Sequence, residues 1–425
     1  MMVETSRRTH WQVARIAALI AALFAAPATW LGAGEAARAA DQPSRPQSAT
    51  KPSRPVMSRA EVLATDPAIL ERIGRHMVIG YHRLSTVQAL VEKKAIAGIF
   101  ITDHNVARRK VEDVRAEIDA LQAIRARQGL PALIIAADQE GGAVSRLSPP
   151  LDRQPGLSRV IAKTKPGEDL QPLVTAYATK QAQELKRIGV NLNFSPVVDL
   201  KIDPKRRSDG ETQLRHRALS PDPAKVSDVA GSYCDALAAE GIHCTIKHFP
   251  GLGRVALDTH RQAGNIKASV PDLSMSDWVP FRRLMAKPNV VTMLAHVRLA
   301  GIDTVHPASF SGPVIDGLLR KEWRHEGILI TDDFSMGAVT RDKNGVGAAA
   351  VKALSAGADL LLVSFSDKHL DAVMTALIQA EKNGEFDAAV RAASLERLKR
   401  LPAAHQPLQP QPAASASAAE DKPAP

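Results

Sequence analysis

Short apolar runs alternate with helical patterns through most of this 425-residue chain. The runs are almost continuously apolar, which is typical of strands buried on both faces of a parallel sheet. Segments with the periodicity of amphipathic helices lie between them, for example at 170–188, 224–240 and 345–356. The eight predicted strands are 76–80, 97–101, 132–137, 190–194, 242–246, 290–295, 327–331 and 358–363.

Eight successive β–α units predict an α/β fold, a single-domain (β/α)8 barrel of the TIM type over residues 58–402. A doubly wound open sheet is the alternative, but no Gly-x-Gly-x-x-Gly motif follows a predicted strand. The flanking segments 40–57 and 403–425 are rich in Pro, Ser, Ala and Gln. Because they have too little apolar surface to offset chain entropy, we expect a disordered linker and a disordered tail.

The first 39 residues have the pattern of an export signal. Three arginines precede an uncharged apolar stretch at 16–34, and Ala37 and Ala39 form the Ala-x-Ala pattern of a cleavage site before Ala40. We therefore predict a signal peptide over 1–39 and an exported protein, periplasmic or secreted, that meets the membrane only through this signal. An uncleaved membrane anchor is the alternative.

Composition narrows the class of protein. Hydrophobic residues make up 45% and charged residues 24%, which is ordinary globular usage. The net charge of +10 is spread along the chain and aromatics are only 4%, so we expect no nucleic-acid partner. Two cysteines exclude a Cys-rich zinc module. In an oxidising compartment, Cys234 and Cys244 could form a disulfide or remain buried free thiols.

Polar side chains follow several predicted strands at the point where each ends. In a (β/α)8 barrel these ends share one rim, where catalytic groups are found. A single aspartate there is commonly a helix cap, but this many predict a polar pocket for a hydroxyl-rich ligand. The residues are Asp103, Asp138, Asp199, Lys247, His248, His296, Asp332 and Asp333.

Two segments carry the most specific chemistry. In the loop that follows the strand at 242–246, Asp258 and His260 are two residues apart, so the carboxylate could orient the imidazole for proton transfer. The strand at 327–331 ends in Asp332 and Asp333. Because side chains alternate along a strand, one carboxylate can face the pocket while the other caps the next helix.

These motifs resemble those of glycoside hydrolase family 3, and most closely its single-domain β-N-acetylglucosaminidases. The resemblance rests on Lys-His-Phe-Pro-Gly at 247–251, the Asp-x-His loop at 258–260 and Ile-Thr-Asp-Asp-Phe-Ser-Met at 330–336. It extends to Asp-Gln-Glu-Gly-Gly at 138–142 and Asn-Phe-Ser-Pro-Val-Val-Asp at 193–199. It covers essentially the whole predicted barrel.

The resemblance implies a retaining exo-β-N-acetylhexosaminidase with a covalent glycosyl-enzyme intermediate. It implies that Asp332 is the nucleophile, that His260 is the general acid/base and that Asp258 is the partner of that histidine. No step of this chemistry requires a metal or organic cofactor. The residues that the resemblance assigns to substrate binding are Asp138, Arg146, Arg217, Lys247 and His248.

Terminal β-linked N-acetylglucosamine on peptidoglycan fragments or related glycans is the expected substrate, and we expect a monomer. Phosphorolysis remains open because a neutral imidazole can admit an anionic acceptor. A β-glucosidase or β-xylosidase of the same family and a non-catalytic cell-wall sugar-binding protein are further alternatives. The chain departs from relatives at Leu252, which stands in place of a histidine, and at Ala143, which stands in place of an arginine. Leu252 puts the packing of the catalytic loop in question.

Overall fold

The predicted signal peptide (1–39) and tail (403–425), and all but the last three residues of the predicted linker (40–57), lie outside the described part of the chain and stay predictions. The first described helix, Arg59–Leu63, begins after Ser58, whose side chain caps it. The computed structural model describes residues 55–202, 210–255, 258–342 and 344–401.

Eight parallel strands form one sheet, in which each strand pairs with the next along the chain. The first and last strands also pair in parallel. A parallel bridge between Ile330 and Leu360 joins the last two strands, so the sheet closes into a barrel. The predicted (β/α)8 barrel is confirmed. The strands are β1 (Met77–Gly80), β2 (Gly98–Ile101), β3 (Ile134–Ala137), β4 (Leu192–Asn193), β5 (His243–Phe249), β6 (Val290–Leu294), β7 (Leu329–Thr331) and β8 (Leu361–Val363).

Strand β5 is longer than the apolar run that predicted it. The ladder continues because Val198 N–H donates to Lys247 O at 2.9 Å and Ala295 N–H donates to Phe249 O at 2.8 Å. Lys247 and His248 therefore lie within the strand and not beyond its end, which corrects the predicted boundary.

Side chains alternate between the barrel interior and the surrounding helices, as the two-residue period of a strand requires. Phe100 of β2 points inward and its ring lies 5.4 Å from that of Phe194. Its neighbours Ile99 and Ile101 point outward into the larger core beneath the helices. The two apolar layers fix the strands, and with them the side chains at their C-terminal ends.

The helices cover the outside of the barrel, and several begin at a capping side chain that the sequence supplies. Asp66, Asp222 and Asp387 each accept a hydrogen bond from the first turn of a helix. No helix of the described residues is long and apolar enough to cross a membrane. The longer helices are Pro67–Gly74, Leu84–Glu92, Val111–Arg127, Gln171–Ile188, Pro223–Ala239, Trp278–Met285, Pro313–Glu322, Gly345–Ser355, Asp367–Lys382 and Ala388–Leu398. The shorter ones are Arg59–Leu63, Asp103–Val106, Leu157–Ile161, Gly210–Thr212, Leu214–Arg217, Val270–Met275, Ala308–Phe310 and Gly337–Thr340.

A disulfide joins the helical layer to the barrel. Cys234 lies on the helix Pro223–Ala239 and Cys244 on β5, and both are fully buried. Their Cα atoms are 5.4 Å apart, within the usual range for a disulfide. Of the two alternatives that the sequence left open, the structure has the disulfide.

Candidate active site

The two acids after β7 have different surroundings. Asp333 accepts hydrogen bonds from the backbone N–H groups of Ser335 and Ser364, each at 2.9 Å, and from both of their hydroxyls. Asp332 accepts only the N–H of Asp333, at 2.9 Å, among the side-chain hydrogen bonds of the described residues. Asp333 thus fastens the loop to β8, which leaves Asp332 as the acid with capacity for a ligand.

Asp332 sits among three imidazoles. Burial alone would raise its pKa, but electrostatic interactions with His296 and His248, the hydrogen bond from the Asp333 N–H group and the interaction with His260 lower the pKa of Asp332 below its usual value. A carboxylate held in the ionised form in a partly buried site is chemically suited to meet positive charge that develops on a ligand.

A second cluster of charges lies where β3 and β5 end. Lys247 Nζ contacts Asp138 Oδ1 at 2.6 Å and Glu140 Oε1 at 2.7 Å. Arg217 holds Glu140 through two hydrogen bonds, Nε to Oε2 at 2.8 Å and Nη2 to Oε1 at 2.6 Å. Two cations and two carboxylates thus share one polar site, an arrangement that suits hydroxyl groups of a ligand.

Opposite charges in this cluster hold each other ionised. Burial would raise the pKa of Glu140, but the charges of Arg217 and Lys247 and their hydrogen bonds lower it to about 2. Burial would lower the pKa of Lys247, but the charges of Asp138 and Glu140 raise it above its usual value. Glu140 and Lys247 therefore both stay charged at neutral pH, although both are buried.

A tight hairpin after β3 places Glu140. The strand Gln139–Gly141 pairs in antiparallel fashion with Val144–Ser145. Gly141 has a φ of +90°, and a Cβ there would lie 2.2 Å from Tyr177 Oη. Only glycine fits this position, which gives a structural reason for the Gly-Gly pair in the sequence motif.

His248 is oriented by a buried carboxylate. Asp199 Oδ2 lies 2.7 Å from His248 Nδ1, and Asp199 Oδ1 accepts the N–H groups of His248 and Leu252 at 3.1 and 2.7 Å. Because the carboxylate oxygens act as acceptors, Nδ1 carries the proton and Nε2 is left for a ligand. The Leu252 side chain is buried in the core. Leu252 itself is therefore packed, although it stands in place of the histidine of relatives.

The loop after β5 carries the predicted Asp–His pair. Asp258 Oδ1 lies 3.0 Å from the backbone N and 3.0 Å from the ring Nδ1 of His260. Gly337, which follows β7, donates its N–H to His260 O at 2.8 Å. The two stretches of chain that hold Asp332 and His260 are thus fastened to each other. Residues 256–257 of this loop lie outside the described part of the chain.

His296 supports the loop that follows β7. Its Nε2 lies 2.9 Å from Asp333 O and its Nδ1 lies 2.7 Å from Ser309 Oγ. A carbonyl only accepts, so Nε2 carries the proton and Nδ1 accepts from the hydroxyl. Burial lowers the pKa of His296, in agreement with a neutral ring.

Comparison with known proteins identifies the family. The model described as the glycosyl hydrolase family 3 N terminal domain matches residues 68–401. The beta-hexosaminidase LpqI of Mycobacterium tuberculosis is 30% identical over 346 residues, which are 80% of this chain and 84% of that protein. The chain belongs to glycoside hydrolase family 3. A beta-hexosaminidase of Stenotrophomonas maltophilia is 34% identical over 276 residues, 64% of this chain and 77% of that protein.

A solved structure agrees with the fold of this family 3 chain. A family 3 beta-N-acetylglucosaminidase from a Paenibacillus species superposes with a TM-score of 0.71 and 29% sequence identity, covering 78% of this chain. The match spans 61% of that longer protein. The family, the enzyme class of glycoside hydrolase and the β-hexosaminidase branch that the motifs indicated are therefore confirmed.

The structure brings most of the residues predicted from the sequence together in this family 3 site, but it leaves two of the polar residues outside the contacts described above. Arg146 is exposed, and among the described residues its side chain has no hydrogen bond or ion pair; only its N–H bonds Asp138 O, at 3.1 Å. Its binding role stays a prediction. Asp103 is exposed at the start of the helix Asp103–Val106. It takes no part in the site contacts described here.

Four contributors were not among the residues to which the sequence assigned a catalytic or substrate-binding role. Glu140 lies inside a motif that the sequence singled out, while Asp199 and His296 were noted only as strand-end residues. Thr212, which donates to Asp258 Oδ1 at 3.0 Å, had no signal, because nothing local distinguishes its hydroxyl from that of other threonines. The resulting site has three parts. Asp332 is an ionised acid with capacity for a ligand, Asp258 orients the imidazole of His260, and the charged cluster around Lys247 suits hydroxyl groups.

Proposed function

We propose that this family 3 enzyme is an exported, retaining exo-β-N-acetylhexosaminidase. It removes terminal β-linked N-acetylglucosamine from peptidoglycan fragments or related glycans. The observation that carries the proposal is that Asp332 and the Asp258–His260 pair are brought together by the Gly337–His260 backbone hydrogen bond. An acid and an oriented proton carrier on either side of one bond are what retaining glycoside cleavage needs.

In the first step Asp332 forms a bond to the anomeric carbon while the bond to the leaving oxygen breaks. Its lowered pKa keeps the attacking carboxylate ionised and suited to the oxocarbenium-like transition state. His260, protonated on Nε2, gives that proton to the leaving oxygen. Asp258 holds the opposite ring nitrogen, so the proton-bearing edge of the ring faces the leaving group.

In the second step the neutral His260 takes a proton from water. The water oxygen then bonds to the anomeric carbon, and Asp332 leaves as a carboxylate. A neutral imidazole between the two steps means that no second anion lies beside the ester, unlike the usual pair of carboxylates. This is the physical advantage of a histidine in this position.

The charged cluster supplies the recognition of a terminal sugar. Asp138 and Glu140 accept from hydroxyl groups, while Lys247 and Arg217 donate to them, and His248 offers its free Nε2. Charge-assisted hydrogen bonds of this kind discriminate sugars by the positions of their hydroxyls. This cluster supports the proposal that the enzyme is exo-acting and binds the terminal sugar of a glycan.

Two features support export. The sequence of residues 1–39 has the pattern of a signal peptide, and the Cys234–Cys244 disulfide fits an oxidising compartment. An exported enzyme of this specificity would meet cell-wall glycans outside the inner membrane, which is the reason for proposing peptidoglycan fragments as substrate.

The decisive experiment measures aryl release from nitrophenyl N-acetyl-β-glucosaminide by the purified protein. We expect activity in the wild type and a loss of at least about a thousandfold in Asp332→Asn, because nucleophilic attack supplies several kcal/mol of barrier lowering. Asp316→Asn, at a surface ion pair with Lys321, is the matched control and should keep full activity. Equal activity of wild type and Asp332→Asn would overturn the nucleophile assignment.

Related assays test which sugar the enzyme cleaves and whether water or phosphate is the acceptor. The nitrophenyl β-glucoside should be cleaved far more slowly than the N-acetylglucosaminide, whereas a β-glucosidase would reverse that order. Product analysis with and without inorganic phosphate distinguishes free N-acetylglucosamine from its 1-phosphate. We expect the free sugar in both cases, as hydrolysis requires. Binding of muropeptides without turnover of any β-linked substrate would instead indicate a sugar-binding protein.

A further inference from the structure

A continuous path of hydrogen bonds connects the sugar-binding cluster to the acid/base loop, and Thr212 lies at its centre. We propose that Thr212 is a positioning residue that holds Asp258, and through it His260, in the orientation needed for proton transfer. The proposal rests on the proposed function, in which His260 is the acid/base.

The side chain of Thr212 faces the acid/base pair. Its hydroxyl donates to Asp258 Oδ1 at 3.0 Å, and Thr212 is only 4% exposed. The same carboxylate oxygen accepts from the backbone N and the ring Nδ1 of His260. The threonine hydroxyl therefore fixes the very oxygen that orients the imidazole.

The backbone of Thr212 faces the sugar-binding cluster. Its carbonyl accepts from Arg217 Nη1 at 2.8 Å, and the same guanidinium makes two hydrogen bonds to Glu140. Glu140 in turn contacts Lys247 at 2.7 Å. A shift of the cluster is thus transmitted through Arg217 to the residue that supports Asp258.

Steric contact gives the carboxylate a second constraint. Gly210, two residues before Thr212, has a φ of +58°, and a Cβ there would lie 2.3 Å from Asp258 Oδ2. One oxygen of Asp258 is therefore held by a hydrogen bond, while the other packs against a glycine in a turn. Both constraints come from the segment between β4 and β5, far from Asp258 in sequence.

Loss of the Thr212 hydroxyl removes one of the hydrogen bonds that hold Asp258 Oδ1, so the carboxylate is less firmly oriented and the imidazole spends less time aimed at the leaving oxygen. The rates to compare are kcat/KM values, because kcat/KM reports only the first step, in which His260 donates its proton, and not the later attack of water. This quantity should fall only where proton donation limits the first step. Aryl glycosides with very good leaving groups, such as dinitrophenyl, need little protonation, whereas methoxyphenyl glycosides need it fully. A merely structural role would slow both substrates alike.

The test compares Thr212→Val with Thr212→Ser on these two N-acetylglucosaminides. For Thr212→Val we expect kcat/KM on the methoxyphenyl substrate to fall by about tenfold or more, the usual effect of losing a hydrogen bond to a charged group. The kcat/KM on the dinitrophenyl substrate should change by less than about twofold. Thr212→Ser restores the donor and should keep both rates. Thr375→Val, which removes another buried hydroxyl that donates to Asp371 O, is the matched control.

A double variant separates this proposal from the one on which it rests. If Thr212 acts through His260, Thr212→Val should cost nothing further in a His260→Ala background. An independent, additive loss, or equal slowing of both substrates, overturns the role of Thr212 alone. His260→Ala that slows both substrates equally overturns the acid/base assignment, and the role of Thr212 with it.

A second variant covers the case in which Thr212→Val does not fold. Gly210→Ala displaces Asp258 Oδ2 by steric contact and leaves the Thr212 hydroxyl in place. The same leaving-group dependence is expected for it, and a folded Gly210→Ala protein without that dependence would contradict the proposal.

Discussion

Glu140 shows how a single residue can hold a site together by charge. It is almost fully buried between Arg217 and Lys247, and it is ionised because those two cations outweigh the cost of burial. The sequence placed Glu140 within a motif but gave no reason to select it, because its partners come from the distant short helix Leu214–Arg217 and from β5. Only the fold brings the three charges together.

Glu140→Gln should therefore have a pH-dependent effect on stability. The pKa of Glu140 in the folded protein is about 2, below the ordinary value of 4.5. Its stabilising contribution is fully present above 4.5 and is lost as the pH falls towards 2. We expect wild type to exceed Glu140→Gln in the free energy of unfolding by about 2–3 kcal/mol at neutral pH. The difference should shrink below about pH 5.

Urea unfolding between neutral pH and about pH 3 measures this difference. Glu385→Gln, at an exposed position, is the control and should show no such trend. A wild-type advantage that stays constant as the pH falls would contradict the ion-pair interpretation of Glu140.

The division of labour between Asp332 and Asp333 was foreseeable in part. Alternation along a strand predicts that two successive acids point in different directions. Periodicity does not say which acid faces the pocket, because that depends on the twist of the barrel and on the loop from β8. Ser364, which binds Asp333, comes from that loop and is 31 residues away in sequence.

At the scale of elements, the hairpin after β3 is the most demanding piece of local structure. It places Glu140 against its two cations, and it depends on Gly141 at a positive φ against Tyr177. Gly141→Ala should destabilise the protein by roughly 2–4 kcal/mol, because left-handed strain adds to a direct clash. The KM for the nitrophenyl substrate should also rise, since the hairpin carries Glu140.

Gly384 provides the matched control for this substitution. Its φ is +67°, and a Cβ there would meet nothing within 4 Å. Gly384→Ala therefore has the strain without the clash and should cost only about 1–2 kcal/mol, with unchanged KM. Thermal unfolding and steady-state kinetics of the two variants give the comparison. Equal costs for both would show that the hairpin tolerates the added methyl group.

The elements differ in how far the sequence predicted them. The eight strands were recognisable because strands buried on both faces are continuous apolar runs, such as Ile134–Ala137. The end of β5 was placed too early because Lys247 and His248 are polar, although both lie within the strand and Lys247 pairs with Val197. Polar residues that lie in a strand and contribute to a site interrupt the continuous apolar run from which the strand is predicted.

At the scale of the whole molecule, the closed barrel explains why chemistry from five different strand ends meets in one place. Parallel strands direct all their C-terminal ends to one rim, so residues as far apart as Asp138 and Asp332 become neighbours of one site. The sequence predicted this convergence from topology alone. It could not predict contacts such as that between Thr212 and Asp258, which are 46 residues apart in sequence and lie outside the strands.

Export and the disulfide make a joint prediction for the whole chain. Produced with its own N-terminus in a Gram-negative host, the protein should be recovered from the periplasm with Ala40 as its first residue. Cys234 and Cys244 are 10 residues apart and should be oxidised there, so the intact mass should be two hydrogens below that of the reduced chain. Mass spectrometry reads both features from one sample.

Ala39→Arg is the control for processing, since a large charged residue at the cleavage site should block removal of the signal. It should leave the disulfide intact, because export and cleavage are separate steps. A wild-type mass that includes residues 1–39 would favour the uncleaved anchor. Two free thiols in the periplasmic protein, detected by alkylation after unfolding without reductant, would contradict the disulfide and with it one of the two supports for an oxidising location.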